Sequence, residues 1–263
     1  MQIFWVVAII SALTVIMIMS GRGGGNSYVA ALVLLGVPMH TAPTTSQFIL
    51  LAGALAGALV FGKARTMSRP LAIFFGGPNA STAFAGGFMA HSFGGTQLKI
   101  ILSVLLFVAG IAMVFPEIQV DKTGVFRLGY WNIRAGDSLY VINLWAAVPM
   151  TMAAGFLSGM VGISGGSFLI PLMVVGCGVP VRTAVGTATA ILMATALTGF
   201  VGNALRGGFD PALALPCGAV AVLGGLIGSK IGLKTRPKSL KTISGILTII
   251  AAIFMLANAL SGK

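Results

Sequence analysis

The sequence predicts an all-α integral membrane protein of two inverted repeats, each of about five helical segments, with short or broken helices at glycine-rich motifs. Three observations carry that prediction. Of the 263 residues, 57% are hydrophobic and 8% charged, whereas soluble domains carry about a quarter charged residues. Apolar stretches close to the ~20 residues needed to cross the bilayer core recur along the whole chain. A glycine-rich pattern is also written twice without a gap, 142 residues apart. Gly23, Gly24, Val33, Gly36, Val37, Pro38, Thr41, Ala42 and Thr45 return as Gly165, Gly166, Val175, Gly178, Val179, Pro180, Thr183, Ala184 and Thr187.

The apolar stretches fall near 3–20, 28–37, 44–62, 70–93 and 97–115, then 140–161, 167–181, 183–205, 211–229 and 239–261. The first lacks a basic leader region and an A-x-A site, so it reads as a membrane helix and not a cleaved signal. The stretches at 28–37 and 167–181 are short, as half or re-entrant helices are. Charge decides how they run. If all ten change side, thirteen of the sixteen Lys and Arg face one side, leaving Lys99, Arg206 and Lys263 on the other. If the short stretches re-enter, the basic loops 63–69 and 230–241 face opposite sides, against the positive-inside rule. Five crossings per half place the second half upside down relative to the first. The expected organisation is a first transmembrane repeat over 1–115, a cytoplasmic linker over 116–139 and a second repeat over 140–263. The linker's alternating, turn-punctuated pattern suits a β-hairpin.

The net charge of +12 follows from this loop bias, and without long basic helices or interleaved aromatics it does not point to nucleic acid. Cys177 and Cys217 sit in apolar surroundings and read as small hydrophobes. No cluster has metal-ligand spacing, and no cofactor is expected.

Glycines free the backbone from the helix and bring N–H groups close to a ligand, and the following helix start adds partial positive charge. GRGGGNS at 21–27 and GISGGS at 162–167 each stand where a full helix ends and a short one begins. Two such starts approaching from opposite sides make a cradle for a small anion. The expected binding residues are Gly23, Gly24, Gly25, Asn26, Ser27, Thr45, Asn79, Gly165, Gly166, Ser167, Thr187 and Asn203. Thr44, Ser46, Gln47, Ser164 and Thr189 add to a polar set rich in donors and free of acids, which suits an oxyanion. GGPNAST at 76–82 reads as a break in the fourth stretch that exposes backbone, with Asn79 and Ser81 beside it. Arg22 and Arg182 are candidates for a charge role, or are inner-face anchors. His40 and His91 are the only side chains here whose unperturbed pKa lies near neutrality. Glu117, Asp121, Asp137 and Asp210 all fall in loops, so an intramembrane carboxylate relay is not expected.

The stretch GFLSGMVGISGGSFLIPLMVVGCGVPVRTAVGTATA, 155–190, resembles the signature of the sulfite exporter (TauE/SafE) family, also called toluene sulfonate uptake permeases. The resemblance rests on Gly162 to Gly166, Leu169-Ile170-Pro171, Gly178-Val179-Pro180 and Ala184-Val185-Gly186-Thr187. It implies a permease for small sulfur-containing anions or organosulfonates in the bacterial inner membrane. The first half departs from the pattern: Val29 stands where Pro171 does, and Pro43-Thr44 where Val185-Gly186 do. Two other classes compete. An intramembrane serine protease would use Gly162-Ile163-Ser164-Gly165, but no histidine follows Ser164. An anion channel would need a continuous pore, whereas duplicated broken helices favour alternating access.

Overall fold

The structure, a computed structural model, describes residues 2–19, 21, 23–94, 129–135 and 138–235, with scattered positions between 96 and 107 and between 246 and 257. Arg22, Lys99, the linker residues 116–128 and most of the stretches 97–115 and 239–261 lie outside the described residues.

The order is α1 (Gln2–Met19), α2 (Gly25–Leu34), α3 (Ala42–Lys63), α4 (Arg69–Met89) with a 3-10 turn Ala90–Ser92, then β1 (Tyr130–Ala135) and β2 (Ser138–Asn143). There follow α5 (Leu144–Val161), α6 (Gly166–Pro171) with a π-helical turn Leu172–Gly176, α7 (Val181–Ala204) and α8 (Pro211–Lys234). Local chemistry sets these boundaries. Prolines open α3, α4 and α8, where a missing N–H costs nothing. Asn143 and Asp210 cap α5 and α8 by accepting backbone amides. Gly162 ends α5 at φ 76, in the left-handed region. Each apolar element of the first half has a counterpart: Leu144–Val161 is Gln2–Met19 displaced by 142 residues.

Small residues bring the long helices together. A Cβ on Gly155 or Gly159 of α5 would lie 2.2 Å from the Asn79 carbonyl or 1.9 Å from that of Ala83, so α4 and α5 run parallel in backbone contact. Similar contacts of Gly228 with Val15 and Gly232 with Met19 make α8 parallel to α1. Ile18 meets Gly53 and Gly57, with Thr14 also on Gly53, making α1 parallel to α3. Gly57 lies by Thr189 and Gly199 by Gln47, so α3 and α7 cross antiparallel. Thus α1, α3 and α8 point one way and α4, α5 and α7 the other.

This has a consequence for the short helices. Because α1 and α3 are parallel, residues 20–41 must return the chain to the end where α1 began. The ten residues of α2 rise only about 15 Å; the non-helical residues on either side cover the rest. The same holds for α6 between α5 and α7, which Asn79, bonded to Thr151 and Thr195, and Asn203, bonded to Gly159 and Gly199, hold parallel.

The expected break at 76–82 does not occur: α4 is continuous through Pro78. Ser81 donates to the Gly77 carbonyl, and Thr82 to those of Pro78 and Asn79, so hydroxyls hold the carbonyls around the proline. The hairpin β1–β2 pairs antiparallel in register Ile133 to Tyr140. It reaches Asn143, three residues past the expected start of the sixth stretch. Its inner side chains Ile133, Tyr140 and Ile142 pack with Leu71 and Phe75.

Among the described residues, α3, α5, α7 and α8 are long and apolar enough to span a bilayer. Large apolar side chains such as Leu59, Ile73, Leu215 and Leu223 face outward, as suits a surface that hydrocarbon covers.

Filling the α4–α5 contact tests this packing. Gly159→Ala is expected to lose roughly 1–3 kcal/mol or more in detergent unfolding. Gly77→Ala, where nothing lies within 4 Å, should be neutral or gain up to ~1 kcal/mol. Equal stabilities would contradict the arrangement.

Candidate functional site

Two non-helical segments, one holding Gly23 and Gly24 and the other residues 162–165, pass each other inside the bundle. A Cβ on Gly25 would come 2.7 Å from the Ser164 amide nitrogen, and one on Gly23 3.0 Å from Ser164 Oγ. The latter would also meet Leu50 and Leu192, at 2.6 and 2.8 Å. Those leucines are equivalents under the 142-residue offset. Gly23 and Gly24 adopt φ 78 and 77, a conformation that side chains resist. Neither backbone could approach the other if either strip carried side chains.

Ser46 ties the crossing together, donating to the Gly162 carbonyl at 2.8 Å and lying 3.4 Å from the Gly25 carbonyl. Carbonyls at the end of α5 also take side-chain donors. Gln47 Nε2 donates to the Ser158 carbonyl at 2.7 Å, which accepts the Gly162 amide as well, and Asn203 Nδ2 donates to the Gly159 carbonyl at 2.8 Å. Ser158 Oγ donates to the Ile163 carbonyl. The bonds to Gly159, Gly162 and Ile163 reach acceptors beside the point where the helix ends.

The expected site residues divide by this geometry. Gly23, Gly25 and the 162–165 strip meet at the crossing, and Gly24 rests on Met17 and Tyr28. A Cβ on Gly165 would lie 3.7 Å from the Asn79 side chain, and the Gly166 amide donates to Ser164 Oγ. Asn26 and Ser167 occupy the first turns of α2 and α6. Asn79 and Asn203 are engaged in the wall: Asn79 donates to the Thr151 carbonyl and accepts from Thr195, and Asn203 links α5 to α7. Thr187 stands away from the crossing, accepting the Ser68 amide at the start of α4. Arg182 donates to the Leu233 carbonyl and clamps α7 to the end of α8. His40 and His91 stack on each other at the opposite end, ring centroids 6.0 Å apart.

Among the described residues, the buried hydroxyls without a hydrogen-bond partner in the protein include Ser27, Thr44 and Thr45, together with Ser68 and, in the second half, Thr151. The first three belong to the first turns of α2 and α3. Their offset equivalents are Leu169, Gly186 and the engaged Thr187. A buried hydroxyl left unpaired costs about 1–3 kcal/mol, which a ligand's oxygens would recover. Gln47, expected in the polar set, serves the Ser158 carbonyl; Thr151 and Thr195 are polar neighbours outside the expected set, and as isolated hydroxyls in apolar helices they carry no spacing signal. For Ser164 the structure shows an acceptor of a neighbouring amide, in a strip packed against α2.

A multi-pass helical bundle with two short helices starting from touching glycine strips inside an apolar shell defines a membrane protein of the transporter class. Comparison with known proteins agrees. The chain belongs to the sulfite exporter TauE/SafE family, whose model matches residues 6–255. It is 24% identical over 244 residues to "Probable membrane transporter protein YunE" of Bacillus subtilis (strain 168), covering 88% of each chain. It is 24% identical over 227 residues to "Probable membrane transporter protein YdhB" of the same organism, covering 86% of this chain and 88% of the relative.

The crossing makes Ser46 structural. Ser46→Ala should lower stability by about 1–3 kcal/mol, because it leaves the buried Gly162 carbonyl without this donor. Thr198→Ala, which removes a hydroxyl bonded only within its own helix, should change little. Thermal unfolding of both in detergent distinguishes them.

Proposed function

We propose that the chain is a secondary transporter of a small sulfur-containing oxyanion or organosulfonate, such as sulfite, working by alternating access in a bacterial cytoplasmic membrane. The observation that carries this reading is the meeting of the two glycine strips beside buried, unpartnered hydroxyls. The hydroxyls of Ser27, Thr44 and Thr45 can donate to sulfonate-type oxygens, and the start of α2 adds partial positive charge. No helix α1–α8 contains an acidic residue, so nothing there repels an anion.

In this reading, residues 1–115 and 140–263 are inverted repeats. Support comes from the antiparallel crossing of α3 with its counterpart α7, and from the exchange of partners by which α1 packs on α8 while α5 packs on α4. A two-fold axis perpendicular to the long helices relates such an arrangement. Lys63, Arg65, Arg69, Arg182, Lys230 and Lys234 share one end of the bundle, which the positive-inside rule makes cytoplasmic. Substrate sits at the crossing, and rocking of one repeat against the other opens it to each side in turn.

The test is a proteoliposome screen of sulfite, sulfate, thiosulfate and organosulfonates. A transported anion should show saturable flux and exchange of labelled substrate; ohmic single-channel currents would establish a channel instead. Thr45→Val keeps the shape and removes an unpaired hydroxyl. It is expected to leave stability unchanged or raise it, while weakening substrate affinity about tenfold, the loss of a hydrogen bond worth ~1.4 kcal/mol. Undiminished affinity in Thr45→Val would remove that residue from the site.

A further inference from the structure

At the end of the bundle opposite the basic loops, three cationic or ionisable side chains gather from three separate segments. His40 lies in the turn before α3 and His91 in the 3-10 turn after α4, their rings stacked at an interplanar angle of 29°. Arg206 follows α7, its Cζ 3.9 Å over the Phe88 ring, one turn before His91. His91 Nδ1 is shielded from solvent and has no hydrogen-bond partner. The Gly207 backbone favours the charged imidazole, and Gly208 packs against the His40 carbonyl. Below the cluster, Thr44 and Thr45 lie only four and five residues from His40, about 6–8 Å at the helical rise. The cluster therefore lies at the same end of the bundle as the unpaired hydroxyls at the start of α3.

We propose that His40, His91 and Arg206 form a recruitment site for a small dianionic oxyanion, made stronger when the imidazoles are protonated, from which the anion passes to Thr44 and Thr45. The inference rests on the transport reading for the second step and on the cluster alone for the first. Arg206 supplies permanent charge at a mouth where basic residues are otherwise scarce, and a doubly charged oxyanion can neutralise it together with an imidazolium. Burial holds the His91 pKa below its ordinary value, helped by the charges of His40 and Arg206 and opposed by the Gly207 backbone. Acidification charges His91, and a bound anion favours the charged form and moves the midpoint up. Among the described residues, the other elements facing it bring few charges. α5 has no titratable side chain, the only charge on α4 is Arg69 at its far end, and Asp210 is turned to the Ala212 and Leu213 amides as the cap of α8.

The chain has two histidines, so carbon-labelled imidazoles in the detergent-solubilised protein give two assignable signals, identified with His40→Gln and His91→Gln. Titrations between pH 5 and 8 in sodium sulfate and in sodium chloride at equal ionic strength test the site. Sulfate should raise the His91 midpoint by at least ~0.5 unit, about a threefold preference for the protonated form, and Arg206→Gln should abolish the difference. Superimposable curves in the two salts, or a sulfate response that survives Arg206→Gln, would overturn the proposal. If sulfate shifts His91 while proteoliposomes carry none of the screened anions, the recruitment site stands and the transport reading falls.

Discussion

Everything else in the molecule depends on the backbone contact between Gly25 and the strip Gly162–Ser164. Two strands of polypeptide that have left their helices can lie against each other inside a membrane protein only if their polar groups are answered and no side chains separate them. Glycine satisfies the second condition at 23–25 and 162, 165 and 166. Ser46, Gln47, Asn203 and Ser158 satisfy the first by donating to carbonyls at and around the end of α5. The residues that look most like ligand contacts in an apolar sequence are thereby divided. Some hold the crossing in place, and a smaller number are left free beside it.

That division is uneven between the halves. The start of α7 is fastened, with Thr187 bonded to the Ser68 amide and Gly186 close against Thr66. The start of α3 instead leaves Thr44 and Thr45 without partners while Ser46 reaches the crossing. The offset pair Thr45 and Thr187 thus differs, unbonded at the start of α3 and bonded at the start of α7. The same unevenness marks the two ends of the bundle. One end carries lysines and arginines with Arg182 clamped to α8; the other carries a histidine pair, one arginine over a phenylalanine and the opening turn of α3.

The long helices contribute rigidity through close backbone approach rather than through large side chains. Gly155 and Gly159 on α5, and Gly228 and Gly232 on α8, each lie against a carbonyl of the neighbouring helix. Such contacts need no hydrophobic driving force between helices, which lipid would not supply, and rely on dispersion and shape. They also fix each pair in register. The parallel alignment of α1 with α3, and of α5 with α7, forces the intervening chain to traverse the bundle, and the short helices are the consequence.

Much of this was legible in the residues. Membrane class follows from charge content and apolar run length, because transfer into hydrocarbon depends on composition. The 142-residue offset, the short helices at the glycine clusters and the hairpin follow from local patterns that need no knowledge of partners. The tertiary structure shows that α4 runs on through Pro78. It alone decided that Asn79, Asn203 and Thr187 serve neighbouring backbone, whereas Thr44 and Thr45 serve none, and that His40, His91 and Arg206 share one end of the bundle. The reason is physical: whether a polar side chain in an apolar helix finds a partner, and which, depends on helices distant in the chain.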